Sequence, residues 1–185
     1  MQGVFKTILN SEKTISSKAE DFYKEYWTDG ECVRDITTLK NLHILKKYFP
    51  KLPQNKKILE IGVGGEGGII KSLKDNNYVY GIDVSDSAIK NSEKFNLDVI
   101  KLNLDNEKIP FEDSSVDIVF AFEVFEHFSN PQHAIEEIKR VLVDDGVLLI
   151  SIPNQYTYHW PRLFYPDLFI KDNFFEFLII NGFDT

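Results

Sequence analysis

Short apolar runs alternate with amphipathic segments through the middle of the chain. Strands that alternate with helices in this way form a parallel sheet. We therefore predict an α/β fold with a doubly wound, mainly parallel sheet and helices on both of its faces. The predicted strands lie near residues 57–61, 79–83, 99–102, 116–122 and 147–152, and the predicted helices near 67–75, 86–94 and 131–142.

Local signals mark the starts of two of these helices. Ser85 and Asp86 are candidate N-caps of the second helix, because their side-chain oxygens can accept from free amides of the first turn. Asn130-Pro131 is typical of a helix start, since proline is tolerated in the first turn. Helix-like spacing also covers residues 15–27, 33–49 and 174–182.

The composition favours a cytoplasmic protein. The only cysteine of the 185 residues is Cys32, which excludes an internal disulfide and fits a reducing compartment. The chain has no run of 18 apolar residues and no signal-peptide core, so we expect no membrane span. A net charge of −8 speaks against nucleic acid as a partner, because polyanion binders use basic surfaces. The excess of lysine over arginine indicates a bacterial source.

A glycine-rich segment links the first two predicted strands. Gly62, Gly64 and Gly67 follow the first strand, and Asp83 ends the second. Glycine permits a sharp turn and the close approach of a ligand, and an acid at the tip of the second strand can accept hydrogen bonds from a ribose. The segment therefore predicts a site for a nucleoside cofactor.

Two cofactors fit this segment. The three glycines match the G-x-G-x-x-G fingerprint of dinucleotide binding, and Asp83 follows at about 20 residues, as that fingerprint expects. Glu60 favours the second interpretation. A carboxylate two residues before Gly62 suits a cationic ligand such as S-adenosylmethionine (SAM), whereas a pyrophosphate would be repelled.

Four segments, in order, resemble the class I SAM-dependent methyltransferases. The first resembles motif I, E-x-G-x-G-x-G, with Glu66 where the third glycine is usual. The resemblance covers roughly residues 56–154 and is to methyltransferase-11-like enzymes of bacteria that act on small molecules, quinones or surface glycans. The four segments are residues 60–68, 104–111, 115–127 and 140–154.

The resemblance implies a Rossmann-like core with SAM as cofactor and S-adenosylhomocysteine as product. In this family the acid at the place of Asp83 holds the ribose, and the acid at the place of Asp105 accepts from the adenine amino group. The cofactor-binding residues that the resemblance implies are Glu60, Gly62, Gly64, Asp83, Val84, Leu104, Asp105 and Glu123.

Glu126 and His127 are the candidate catalytic residues, because they follow the fourth predicted strand at the edge where such a sheet binds its ligands. Three roles stay open. The pair braces its loop, or His127 is a general base. Alternatively Glu123-x-x-Glu126-His127 holds a divalent cation, as in some quinone and small-RNA methyltransferases that it resembles. A further ligand is not identifiable, so we assign no metal site.

The resemblance divides the chain into three parts. Residues 1–52 are expected to form a helical lid, residues 53–154 the SAM-binding core, and residues 155–185 an acceptor-side segment with the last helix. The family sheet normally carries two more strands after the fifth. The chain stops before them, so we expect the C-terminal strand pair to be missing.

The expected function is methyl transfer from SAM to a small or medium acceptor, such as a glycan precursor, at oxygen. One alternative is a nicotinamide-dependent oxidoreductase, for which the chain has no room for a substrate domain. The other alternative is a non-catalytic SAM-binding partner module. The sequence leaves the acceptor and the oligomeric state open.

Overall fold

Five parallel strands form the sheet. The structure is a computed structural model that describes residues 43, 45–153, 168 and 171–184. All strand pairings are parallel, in the order β3-β2-β1-β4-β5, which confirms the predicted parallel α/β sheet. The strands are β1 (Lys57–Ile61), β2 (Tyr78–Asp83), β3 (Asp98–Lys101), β4 (Val116–Phe122) and β5 (Leu142–Ser151).

The central strands β1 and β4 are buried on both faces. Ile58 and Phe120 belong to one hydrophobic cluster, and Leu59 and Val119 belong to the other. Side chains of a strand alternate between its two faces, so each central strand contributes to both cores. This double burial explains why these two strands read as nearly continuous apolar runs in the sequence.

In the described part of the chain after β1, the sheet is accompanied by helices α1 (Asp86–Glu93), α2 (Pro131–Val141) and α3 (Lys171–Ile180). The Ser85 side chain accepts from the amide of Ala88, and the Asn130 side chain accepts from the amide of His133. The predicted starts of α1 and α2 are therefore confirmed. In each case the cap satisfies an amide that has no partner inside the helix.

The predicted helix over residues 67–75 is wrong. This segment contains two 3₁₀ turns, Ile70–Ser72 and Lys74–Asn76. Gly67 and Gly68 have φ angles of 80° and 58°, in the left-handed region. A right-handed helix does not continue through such residues, so the regular part begins only after them.

Two predicted boundaries also need correction. β5 begins at Leu142 rather than at 147, because Leu142 pairs with Val116 while Val147 pairs with Ile118, and the residues between them form an irregularity in the register. Helix α3 runs from Lys171 to Ile180 rather than over 174–182. Gly182 has a φ of 83°, a conformation that commonly ends a helix at its C-terminal side.

The predicted lid lies largely outside the described residues, which begin at 43, and so do residues 154–167 of the predicted acceptor-side segment. In the part of the chain that the structure describes, none of the helices combines the length and apolar character needed to cross a bilayer.

Candidate functional site

The strand order reverses at β1, which has β2 on one side and β4 on the other. Sheets of this type bind their ligands outside the carboxyl ends of the strands at such a reversal. The loops that leave β1 and β4 touch here, since a Cβ on Gly62 would lie 2.8 Å from Cγ2 of Val124. Gly62 also donates its amide to the carbonyl of Ile82, at 2.9 Å, which ties the same loop to β2.

Glu60 holds the segment after the glycine-rich loop through hydrogen bonds to its backbone. Its carboxylate is buried and accepts from the amides of Ile69 and Ile70, each at 3.1 Å. A Cβ on Gly68 would collide with this carboxylate, and Gly68 also has a positive φ, so any side chain there would be strained and would displace Glu60. Burial raises the pKa of Glu60 to about 8, against the lowering effect of the two amides.

Asp83 closes the other side of the loop. Its Oδ2 accepts from the amide of Gly64 at 2.9 Å, and its Oδ1 accepts from the amide of Ser85 at 2.8 Å. Burial raises the pKa of Asp83, and these amides oppose the rise. The charge of Asp83 in turn contributes to the raised pKa of Glu60, so the two carboxylates repel each other electrostatically.

This pair of carboxylates fits a cationic ligand. Both groups are buried, and a positive charge beside them would favour their ionised forms and offset the cost of desolvation. Each carboxylate oxygen has a second lone pair besides the one that an amide already uses. Glu60 and Asp83 can therefore keep the loop in place and still accept from ligand hydroxyl or ammonium groups.

The β3–β4 loop (residues 102–115) brings Asp105 and Leu104 to the same edge of the sheet. Asp105 is 8% exposed and accepts from Oγ of Ser129 at 2.8 Å and from the amide of Asn130 at 3.0 Å. The Leu104 side chain belongs to the core, so only its backbone is available to a ligand. Val84 is half-buried and follows Asp83 directly.

Glu123 lies at the tip of β4 in a strained conformation. Its φ is 50°, which a non-glycine residue rarely adopts and which often marks a functional site. Its Oε1 accepts from Oγ of Ser151 at 2.8 Å, and its amide donates to the carbonyl of Ser151 at 3.1 Å. The Glu123 carboxylate is therefore tied to the end of β5.

Glu126 and His127 lie in the 3₁₀ turn Phe125–His127 that follows β4. Glu126 is fully buried, its Oε1 is 3.6 Å from Nε2 of His127, and the imidazole keeps 13% exposure. Within the described ranges, no three His, Cys, Asp or Glu side chains stand close enough to hold a metal ion. Glu123, Glu126 and His127 accordingly do not converge into such a group.

Sequence reasoning missed several residues that build this site. Ser129 and Asn130 hold Asp105, Ser151 holds Glu123, and Gly68 leaves the space that Glu60 fills. The sequence predicts Asn130 as a helix cap, but it does not predict the hydrogen bond from Asn130 to Asp105. The partners of the others lie on different strands or loops, so local sequence contains no trace of these contacts.

Comparison with known proteins places the chain among methyltransferases. A family model described as a methyltransferase domain matches residues 59–150. An uncharacterized protein of Methanocaldococcus jannaschii is 32% identical over 84% of this chain and 72% of its own length. A 27-O-demethylrifamycin SV methyltransferase of Amycolatopsis mediterranei is 28% identical over 71% of this chain and 51% of its own length.

A solved structure agrees at the level of the fold. A SAM-dependent methyltransferase from Aquifex aeolicus superposes with a TM-score of 0.64 at 22% identity, over 92% of this chain and 89% of that chain. The chain spans only 51% of the rifamycin enzyme and 60% of another M. jannaschii relative. The likeness to these relatives therefore concerns only part of their length.

Proposed function

We propose that this chain, which belongs to the class I SAM-dependent methyltransferases, binds SAM and transfers its methyl group to a small or medium acceptor at oxygen. The observation that carries the proposal is the pair of buried carboxylates, Glu60 and Asp83, on the two sides of the glycine-rich loop. SAM would supply a methyl carbon activated by a sulfonium. The chain would supply position and electrostatics.

The proposed cofactor site follows the strand tips. Asp83 accepts from the ribose hydroxyls, and Asp105 accepts from the adenine amino group. The loop backbone passes close to the methionine part of the ligand, where glycine leaves room. The remaining cofactor-side residues are Glu60, Gly62, Gly64, Val84, Leu104 and Glu123.

The proposed reaction is an in-line displacement. The acceptor oxygen bonds to the methyl carbon while the carbon–sulfur bond breaks, and the electron pair stays on sulfur to give S-adenosylhomocysteine. The hydroxyl proton passes to a base. His127 is the proposed base, because its imidazole is 13% exposed and follows β4 directly, at the edge of the sheet where the ligand is proposed to bind.

The choice of oxygen is supported by the name of the rifamycin relative, which specifies an oxygen acceptor. For this chain we propose a small-molecule acceptor such as a glycan precursor of surface polysaccharide, and a place in the cytoplasm. The net charge of −8 speaks against a nucleic-acid partner, and the single cysteine speaks against a compartment in which disulfides form.

Calorimetry with SAM, S-adenosylhomocysteine and NAD⁺ tests the cofactor. We expect SAM and S-adenosylhomocysteine to bind and NAD⁺ to give no binding heat. The variant Gly64→Val adds a side chain where φ is 67°, so it should lose SAM binding while it still folds. Incubation with methyl-deuterated SAM and metabolite extracts then tests transfer by product mass. Binding without any labelled product would favour the non-catalytic alternative, and binding of NAD⁺ alone would contradict the proposal.

The role of His127 is tested separately. If His127 is the base, His127→Ala lowers turnover by about 10²–10⁴-fold while SAM affinity is kept. If the pair only braces its loop, the same variant lowers the melting temperature and leaves the turnover of folded protein intact. Loss of activity in EDTA, with recovery in Mg²⁺ and an equal defect in Glu126→Gln, would instead assign the pair to a metal.

A further inference from the structure

One edge of helix α2 is polar and faces the β3–β4 loop along its whole length. Asn130, His133, Glu137 and Arg140 follow each other at intervals of three or four residues, which places them on one side of the helix. The neighbouring buried positions of α2 are apolar and belong to the core. We call these four residues the clamp edge.

Each residue of the clamp edge bonds the backbone of the loop. Asn130 donates its side-chain amide to the carbonyl of Asp105 at 3.2 Å, and Nε2 of His133 lies 3.0 Å from the carbonyl of Glu107. The amide of Ile109 donates to Glu137 at 2.9 Å. The loop is thus fixed at every second residue from 105 to 109.

Arg140 completes the series at the far end of the loop. Its guanidinium donates to the carbonyls of Ile109 and Phe111, both at 2.8 Å. It also donates to the carboxylates of Glu137 and Asp113. All five N–H groups of the guanidinium have acceptors, so its position is fully determined by the loop and the helix together.

The series ends on Asp105, whose polar groups are all held before any ligand arrives. Ser129 and Asn130 donate to its two carboxylate oxygens, and its own amide donates to Oδ1 of Asn103 at 3.1 Å. Apolar side chains such as Ile109 already bury the loop. The polar bonds therefore add a fixed position for one carboxylate rather than burial alone.

The geometry points to the clamp edge of α2 as a positioning device that sets which nucleoside base the site accepts. This inference rests on the proposed function, in which Asp105 meets the base. An ionised carboxylate only accepts hydrogen bonds, so a fixed Asp105 favours a base that presents an amino group, such as adenine. A base that presents a carbonyl at the same place, such as hypoxanthine, would be repelled.

Variants far from the base test this device. Arg140 lies ten residues from Asn130, about 15 Å along the helix, so it acts on the base through the loop or through α2 as a whole. Arg140→Lys and Glu137→Gln are the test variants, since both stay close to the original side-chain size, while lysine loses the planar five-donor fork and glutamine loses the charge that pairs with Arg140. Lys139→Met is the matched control, because Lys139 leaves the same helix toward α3 and donates to the carbonyl of Asn181 at 2.8 Å.

The measurement is the ratio of affinities for S-adenosylhomocysteine and S-inosylhomocysteine by calorimetry. We expect the unaltered chain to prefer the adenosyl compound by on the order of 100-fold, and the two test variants to lower this ratio by about tenfold. Lys139→Met should keep the ratio. Hydrogen exchange of residues 102–115, measured without ligand, should become faster in the test variants only.

Other results overturn the inference in separable ways. If the test variants lower the melting temperature but keep the ratio, the clamp edge is structural only. If Lys139→Met lowers the ratio equally, general packing of α2 is responsible. If the unaltered chain binds neither nucleoside, the proposed function falls and the base-selecting role falls with it, whatever the exchange rates are.

Discussion

The glycine-rich loop after β1 and the β3–β4 loop serve the same edge of the sheet but are shaped by different means. In the first loop, Gly62, Gly64, Gly67 and Gly68 all have positive φ angles, so the backbone itself makes the turn. The second loop has few such residues and is held from outside by side chains of α2. The first loop depends on glycines, which have no side chain, and the second depends on hydrogen bonds from side chains of a neighbouring helix.

This difference teaches where each loop is vulnerable. The first loop should fail when a single atom is added, because the carboxylate of Glu60 already fills the space beside it. The second loop should weaken gradually as hydrogen bonds are removed, since several bonds share its restraint. Asp83 joins the two, because its side chain accepts from Gly64 and its carbonyl accepts from Leu102 at 2.9 Å.

The largest effect is expected from Gly68→Ala. The new Cβ would displace Glu60 from the amides of Ile69 and Ile70 and would occupy a strained φ of 58°. We expect a loss of about 2–4 kcal/mol in the free energy of unfolding and no SAM binding. Urea unfolding and calorimetry measure both, with Glu66→Ala in the same loop as the control. Near-normal stability would mean that the loop does not need glycine there.

Asp83→Ala should have the next largest effect. Its carboxylate is bonded to the first loop and is the proposed ribose acceptor, so we expect SAM binding to weaken by about 1.5–3 kcal/mol. Asp86→Ala is the control, since that exposed carboxylate pairs with Lys101 at 2.7 Å on the surface. Calorimetry at equal folded fraction makes the comparison. Unchanged affinity in Asp83→Ala would remove Asp83 from the cofactor site.

The two loops should also respond to pH in opposite directions. The pKa of Glu60 rises from 4.5 to about 8 on folding, so the folded chain holds a proton that the unfolded chain has released. Stability from this group is complete below the unfolded pKa and falls as pH rises toward 8, by at most about 1.4 kcal/mol per pH unit. The hydrogen bond from Arg140 lowers the pKa of Glu137, whose contribution is instead lost at acid pH.

Urea unfolding between about pH 5 and about pH 8 checks this contrast. Glu60→Gln should flatten most of the decline toward high pH, with a residual decline from Asp83, whose pKa is also raised. Glu137→Gln should leave that decline unchanged. Parallel stability curves for the unaltered chain and Glu60→Gln would contradict the raised pKa of Glu60.

The smallest effect is expected from Asn130→Ser. Serine keeps an oxygen to cap α2 but loses the bond to the carbonyl of Asp105. We expect SAM to bind about 1 kcal/mol more weakly with little change in the melting temperature. Gln132→Ala, on the α3-facing side of the same helix, should leave binding unchanged. An equal loss in both variants would mean that the defect lies in α2 as a whole.

The sequence by itself determined the parallel α/β sheet, the glycine-rich loop and the acids at the strand tips. These features are local: an apolar run is long enough to be a strand, and a glycine or a cap acts on the residues beside it. The predicted helix over residues 67–75 is wrong for the same reason. Helix-like spacing does not show that Gly67 and Gly68 adopt left-handed conformations or that the Glu60 carboxylate binds the amides of this segment. The start of β5 was misplaced because its first residue pairs across a register shift.

Only the tertiary structure decided which side chains meet. Ser129 and Asn130 donate hydrogen bonds to Asp105, and Ser151 donates one to Glu123. Arg140 donates to the backbone of a loop that lies about 30 positions before it in the chain. Such contacts join segments that become neighbours only when the sheet forms. Hydrogen-bond geometry depends on distances below 3.5 Å, whereas a sequence pattern specifies the order of elements and not their separation.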